Sequence, residues 1–122
     1  MLKSPEYMAL LFDYYGGVLN EKQAEIYRCY HGENLSLAEI AQDAGITRQG
    51  VHETLKRAEG ILMKLEEELG LVARFREQAN HISEMHTILN AITTLNKNEL
   101  FSNVLTYHMD KIKTTLNKLV AD

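Results

Sequence analysis

The segment from Thr47 to Arg57 carries the side chains of this chain that are best suited to bind a nucleic acid. Arginine and lysine donate hydrogen bonds to phosphates, and arginine and glutamine also reach the donor and acceptor atoms of base edges. In a helix, these residues lie opposite an apolar row formed by Val51, Leu55 and Ala58. The candidate nucleic-acid-binding residues are Thr47, Arg48, Gln49, His52, Lys56 and Arg57.

Charge limits how strongly this segment can bind. The chain has a formal net charge of −4, whereas neutralisation of phosphates supplies most of the non-specific affinity for nucleic acid. Between Ile46 and Gly60, three cations accompany the two anions Glu53 and Glu59, so the local excess is one positive charge. We therefore expect a complex with DNA or RNA to be modest in affinity and sensitive to salt.

The candidate residues also have interpretations that involve no ligand. In this second interpretation, Arg48 and Gln49 are solvated residues of a first helical turn, and His52 is a surface histidine without a ligand. Arg57 is placed to pair with Glu53 or Glu59 in the same helix, which would divert it from phosphates.

No motif for catalysis or cofactor binding occurs in the chain. It has no phosphate-binding glycine loop, dinucleotide-binding turn, nucleophile elbow or H-E-x-x-H zinc motif. His81 and His86 are five residues apart, a spacing that points them away from a shared metal. The single cysteine, Cys29, lies among apolar residues and is predicted to be a small buried side chain. We therefore predict no enzyme, no cofactor and no metal site.

The candidate residues belong to a predicted helix-turn-helix between Ser36 and Leu62. Ser36 and Glu39 have the spacing of a capping box at the start of the first helix. Gly45 is predicted to end that helix, because glycine adopts the left-handed backbone at little cost, and Thr47 caps the second. The apolar face of the first helix is predicted at Ile40, Ala41 and Ala44.

Two further helices are predicted on the amino-terminal side of this motif. Ser4 and Pro5 form a cap and first turn for one of them. Asn20 and Gln23 resemble a capping box for the other. The buried side of this second helix is predicted to carry Ile26, Tyr27 and Tyr30.

Two long helices are predicted on the carboxy-terminal side. An apolar row at heptad spacing runs from Val51 to Gly70, and a second, wider row follows it. Asn98 is predicted to cap the last helix. The wider row must be covered by this last helix, by a second copy of the chain or by another protein. The second copy is favoured, so residues 71–122 are predicted to be a dimerisation region behind a helix-turn-helix domain at residues 1–70.

Composition is that of a globular protein. Of the 122 residues, 45% are hydrophobic and 25% are charged, enough to bury a core in one domain or one domain with an appendage. The chain has no apolar run of membrane-spanning length, and its first residues lack the arrangement of a signal peptide. We therefore expect a cytoplasmic protein that does not enter a membrane.

The block from Leu19 to Leu62 resembles the carboxy-terminal DNA-binding region of bacterial sigma factors. Shared features are an L-x-x-K-Q start, an aromatic-rich helix, S-L-x-E-I-A, a G-I-T turn and V-x-x-x-L-x-R-A-x-x-x-L. With the preceding helix, residues 7–70 are similar to the YlxM family, small helix-turn-helix proteins usually encoded beside signal recognition particle genes. The second helix usually begins S-R-Q-A-V-Y in that family, and here Gly50 and His52 replace the alanine and the tyrosine.

This resemblance implies an all-α fold in which a helix-turn-helix domain of the sigma-factor carboxy-terminal type precedes a long helical extension. It also implies a homodimer and a regulatory or accessory role in the signal recognition particle pathway. Regions that a complete sigma factor needs are absent from so short a chain, so the resemblance does not imply a sigma factor.

Three functions remain open from the sequence. The first is a dimeric regulator that inserts Thr47–Arg57 into the major groove, with DNA favoured over RNA. The second is an accessory protein that binds the RNA or the GTPase of the signal recognition particle. The third is a protein-interaction module that keeps the scaffold without binding nucleic acid. A second basic surface for the accessory role is predicted at Lys97, Lys111, Lys113 and Lys118.

Overall fold

The computed structural model describes residues 4–121, with side chains except at positions 100 and 121. Within these residues the chain is α-helical and has no strand, which confirms the predicted all-α fold. It forms two compact units that divide between Ala73 and Arg74. Among the described helices, none combines the length and the apolar character that crossing a membrane requires.

Within its described residues, the first unit contains four complete α-helices and the start of a fifth. Their first turns are fixed by the predicted caps: the Ser4 hydroxyl accepts from the Tyr7 N–H at 3.2 Å, and Asn20 and Gln23 form a reciprocal capping box. The helices are α1 (Pro5–Tyr15), α2 (Glu21–Tyr27), α3 (Leu37–Ala44), α4 (Arg48–Leu69) and α5 (Leu71–Leu95).

The core of the first unit lies where α1, α2 and α3 pack against α4. The Tyr27 ring stacks on Phe12 with centroids 5.3 Å apart, and its hydroxyl donates to the Met8 carbonyl at 2.7 Å. The phenol is thus buried with its polar atom satisfied, as burial of a hydroxyl requires. The buried apolar side chains of this core are Met8, Leu11, Tyr15, Leu19, Ile26, Tyr27, Ile40, Ala41, Val51, Leu55, Ala58, Leu62 and Val72.

Two of the predicted buried positions in this unit are wrong. Tyr30 is exposed because α2 ends at Tyr27 and a π-helical turn, Arg28–Gly32, follows. The wider turn shifts the phase of the side chains, so the period that buries Ile26 does not continue to Tyr30. Ala44 is exposed because it is the last residue of α3, beyond the part of that helix that reaches the core.

The junction between α4 and α5 is held by hydrogen bonds to the Glu66 carboxylate. Gly70 ends α4 at a φ of 66°, a left-handed conformation that glycine adopts without strain. Glu66 then accepts from the N–H groups of Val72 and Ala73, each at 2.9 Å, and from the Tyr15 hydroxyl at 2.6 Å. A side chain of α4 therefore caps α5 and ties its first turn to α1.

The second unit is a pair of helices, the rest of α5 and α6 (Asn103–Ala121), joined through a π-helical turn at Asn96–Leu100. Such a short connection makes the two helices antiparallel neighbours. The buried apolar side chains between them are Ile82, Leu89, Met109 and Leu116.

The predicted cap at Asn98 is wrong. The Ser102 hydroxyl accepts from the Leu105 N–H at 3.1 Å at the start of α6. Asn96 is buried, and its side chain accepts from the Ser102 N–H at 2.8 Å and donates to the Thr106 hydroxyl at 2.9 Å. The polar residue that organises this turn therefore lies two positions before the predicted one, where the chain leaves α5.

The pair of helices leaves a second apolar row on each helix uncovered. When each helix is viewed from its amino-terminal end, the exposed row lies on the same rotational side of the buried row in α5 as in α6. In an antiparallel pair, both rows then lie on one side, which we call the apolar face. Its exposed residues are Met85, Ile88 and Leu95 on α5 and Val104, Ile112 and Leu119 on α6.

Candidate nucleic-acid interface

The predicted helix-turn-helix consists of α3, a turn and α4. The Ser36 hydroxyl accepts from the Glu39 N–H at 3.1 Å, and the Glu39 carboxylate accepts from the Ser36 N–H at 2.9 Å. The hydrogen bond from the Ser36 backbone lowers the pKa of Glu39, because it stabilises the ionised carboxylate. Gly45 ends α3 with a φ of 70°, so the chain turns within three residues into α4.

The amino-terminal end of α4 differs from that of α3 in charge. The Thr47 hydroxyl accepts from the Gly50 N–H at 2.9 Å, and the first turn contains no acidic residue. In α3, by contrast, the Glu39 carboxylate already occupies the capping position. The positive end of the α4 dipole is therefore not offset by a carboxylate of its own turn, and Arg48 adds a cation to it.

The apolar row of α4 is buried along the length that faces the core. The side chains of this row pack toward α1, α2 and α3, and this packing fixes the rotation of α4 about its axis. The opposite side of α4 is therefore held in solvent. The buried residues of the row are Val51, Leu55, Ala58 and Leu62.

All six candidate residues are exposed. The structure brings them together on one element, within the cap and the first three turns of α4, and none is sealed inside the first unit. These residues are Thr47, Arg48, Gln49, His52, Lys56 and Arg57.

One acid of this segment is turned back toward the protein. The Glu59 carboxylate lies 2.6 Å from His31 Nε2, and the two side chains are only 12% and 13% exposed. The His31 ring also packs against Tyr27, with centroids 4.6 Å apart. His31 therefore links the π-helical turn to α4. Sequence reasoning missed this contact, since 28 residues separate the partners and no local spacing indicates it.

The other acid points outward. Glu53 is exposed, and its carboxylate accepts from the Gln49 side-chain amide at 3.3 Å across one turn of α4. The carboxylates of Glu53 and Glu59 thus have partners other than Arg57, the residue that the sequence left open as their ion-pair partner.

The cysteine of this unit shows no feature of a reactive thiol. Cys29 is half-buried and packs at the edge of the core. Burial raises the pKa of its thiol, and the neighbouring carboxylates of Glu33 and Glu25 raise it further. The thiolate, which is the nucleophile and metal ligand, is therefore scarce at neutral pH. In the part of the chain that the structure describes, no three potential metal ligands lie together.

A family model and individual relatives of this chain point to the same family. Residues 2–104 match the family described as "Putative helix-turn-helix protein, YlxM / p13 like". A UPF0122 protein of Desulforamulus reducens is 48% identical over 81 residues, which cover 66% of this chain and 69% of that protein. A second, of Symbiobacterium thermophilum, is 42% identical over 89 residues, which cover 73% of this chain and 83% of that protein. A third, of Bacillus cereus, is 33% identical over 90 residues, covering 74% and 82%. With its capped α3, its left-handed turn and its exposed α4, the chain belongs to the YlxM/p13-like family of helix-turn-helix proteins.

Proposed function

We propose that this protein is a homodimeric DNA-binding regulator that places the outer side of α4 in the major groove. The observation that supports this most is the division of α4 into two sides. Its apolar row is locked into the core, whereas the cap, the amide and the cations of its first three turns are all exposed. An α-helix fits the major groove, and the first turns of a recognition helix reach base edges there.

Charge along α4 confines the contact to its amino-terminal half. Arg48, Lys56 and Arg57 lie in this half, and the inward Glu59 is held by His31. Beyond Gly60, the exposed acids Glu67 and Glu68 would meet the phosphate backbone with like charge. DNA therefore contacts α4 from Thr47 to about Arg57.

The second unit supplies the dimer contact. A two-helix unit with exposed apolar residues on one side matches what a second copy of the same unit would cover, giving four helices around one core. A twofold dimer then reads two half-sites about one helical turn apart, roughly 34–36 Å.

A gel-shift titration tests the DNA contact. The probe is the DNA upstream of the protein's own gene, and the salt concentration is varied from low to moderate. We expect retardation at low salt that weakens as salt rises. The double variant Arg48→Ala/Lys56→Ala should bind at least about 10-fold more weakly, because it removes two cations from the contact.

A matched double variant, Lys22→Ala/Arg28→Ala, removes the same charge from exposed positions on α2 and on the turn that follows it, outside α4. It should bind as the wild type does. Equal losses in both double variants would contradict a contact through α4. Failure of every fragment to shift at low salt would reject DNA binding and favour the protein-interaction module.

A second candidate function is an accessory role on the signal recognition particle. It rests on the resemblance to the YlxM family and on the lysines of α6. Lys111 and Lys118 are exposed on this helix, and the Lys111 ammonium lies 5.5 Å from the Tyr107 ring centroid. Co-purification of the particle's RNA or GTPase with the wild-type protein, and its loss from Lys111→Ala/Lys118→Ala, would favour this role over DNA regulation.

A further inference from the structure

The two acids between Thr47 and Gly60, Glu53 and Glu59, have different surroundings. The Glu59 side chain is only 12% exposed, and its carboxylate lies 2.6 Å from His31 Nε2. Glu53 is exposed, lies one turn before Lys56 and Arg57, and is adjacent in space to Gln49. Of the two, only Glu53 can reach a ligand on the outer side of α4.

A carboxylate at this position is unfavourable for affinity. It repels phosphates, and it lowers the excess charge of the segment from two positive charges to one. The Gln49 amide at 3.3 Å holds one carboxylate oxygen, so the side chain is oriented along the outer side of the helix. Gln49 lies in the first turn, where side chains of a recognition helix contact bases rather than phosphates.

In the major groove, a carboxylate can accept a hydrogen bond from the amino group at N4 of cytosine. We propose that Glu53 is a specificity-determining residue that accepts from this amino group, with Gln49 as the residue that positions its carboxylate. This inference rests on the proposed function, since it requires α4 to lie in the major groove. Glu53 thus lowers affinity for DNA in general and raises the preference for one cytosine.

Selection of binding sites from randomised duplex DNA tests this role. The wild type should enrich a site with a fixed C·G pair, and replacing that pair should weaken binding about 5- to 150-fold. In Glu53→Gln the enrichment at this one position should be lost or moved to adenine, which glutamine recognises, while the other positions of the site persist. Circular dichroism of the variant confirms that it is folded.

Glu68→Gln is the matched control, because it removes the same charge from an exposed position at the far end of α4. It should leave the preference for every base unchanged. If Glu53→Gln strengthens binding to all sequences equally, Glu53 only repels the backbone, and the inference fails while the proposed function stands. If the wild type binds DNA without selecting any cytosine, the inference about Glu53 also fails while the proposed function stands. A wild type that binds no DNA at low salt overturns both.

Discussion

The two units of this protein differ in how much of their apolar surface they hide. In the first, α1, α2 and α3 pack against α4, and the apolar rows of these helices are buried between them. In the second, two helices share one contact, and residues such as Ile88 and Val104 remain 57% and 69% exposed. A pair of helices has only one mutual face, so a helix with two apolar sides needs a further partner. The first unit therefore buries its apolar rows within itself, whereas the second leaves an apolar face exposed.

The largest expected effect is the loss of a core side chain in the first unit. Leu62 is a fully buried residue of α4, and Leu62→Ala should lower the free energy of unfolding by about 2–5 kcal/mol. Leu69→Ala, in the same helix at a residue that is 51% exposed, is the control and should cost less than about 1 kcal/mol. Urea unfolding followed by circular dichroism measures both. Equal costs would contradict the burial that fixes the rotation of α4.

The apolar face of the second unit should respond differently. Met85→Glu/Ile88→Glu introduces two charges at exposed positions, so the monomer should keep its helices. Dimer dissociation should rise at least about 100-fold, because an unpaired charge is costly to bury at an interface. Ser83→Glu/Asn90→Glu adds the same charge at exposed positions on the side of α5 away from the apolar face and should remain dimeric. Sedimentation equilibrium measures all three proteins, and a wild type that is monomeric at high concentration would refute this assignment.

A smaller effect is expected at the turn between α5 and α6. Asn96→Ala removes the three hydrogen bonds of a buried side chain to Ser102 and Thr106 and should destabilise the second unit by about 1–3 kcal/mol. Asn98→Ala changes an exposed residue and should have little effect. Hydrogen exchange of the α6 amides distinguishes the two variants. A larger effect at Asn98 would restore the cap that the sequence predicted.

The smallest effect concerns stability at alkaline pH. Burial raises the pKa of Tyr27, so the folded protein holds the phenol proton more tightly than the unfolded chain does. The resulting stability is complete below pH of about 10 and is lost as pH rises above that value toward the folded-state pKa. Melting temperature should therefore fall less steeply above pH 10 in Tyr27→Phe than in the wild type. Tyr107→Phe, at a residue that is 60% exposed, should leave the wild-type slope unchanged.

Local sequence signals predicted the framework of the first unit well. The caps at Ser4, Asn20, Ser36 and Thr47 are confirmed because a cap depends on residues three positions apart. The apolar row of α4 is confirmed as buried from Val51 to Leu62, since a regular helix repeats its faces over short intervals, whereas Leu69 at the end of the predicted row is exposed.

Contacts between distant residues could not be read from the sequence. Tyr15 and Glu66 are 51 residues apart, and their hydrogen bond depends on how α1 packs against α4. The prediction that Tyr30 is buried is wrong because a π-helical turn changes the helical period, and no sequence signal indicates this turn. At the candidate site, exposure of the six predicted residues followed from the pattern, but the different surroundings of Glu53 and Glu59 required the fold. The contacts of those six residues with a nucleic acid stay a prediction.

The salt dependence of DNA binding tests the central proposal most directly. The dissociation constant of wild type and Arg48→Ala/Lys56→Ala is measured by fluorescence anisotropy on one duplex over a range of salt concentrations. Each phosphate contact contributes about 0.9 to the slope of log affinity against log salt. If Arg48 and Lys56 each neutralise one phosphate, the slope of the double variant should be shallower by about 1.8. An unchanged slope would show that DNA does not lie against the outer side of α4.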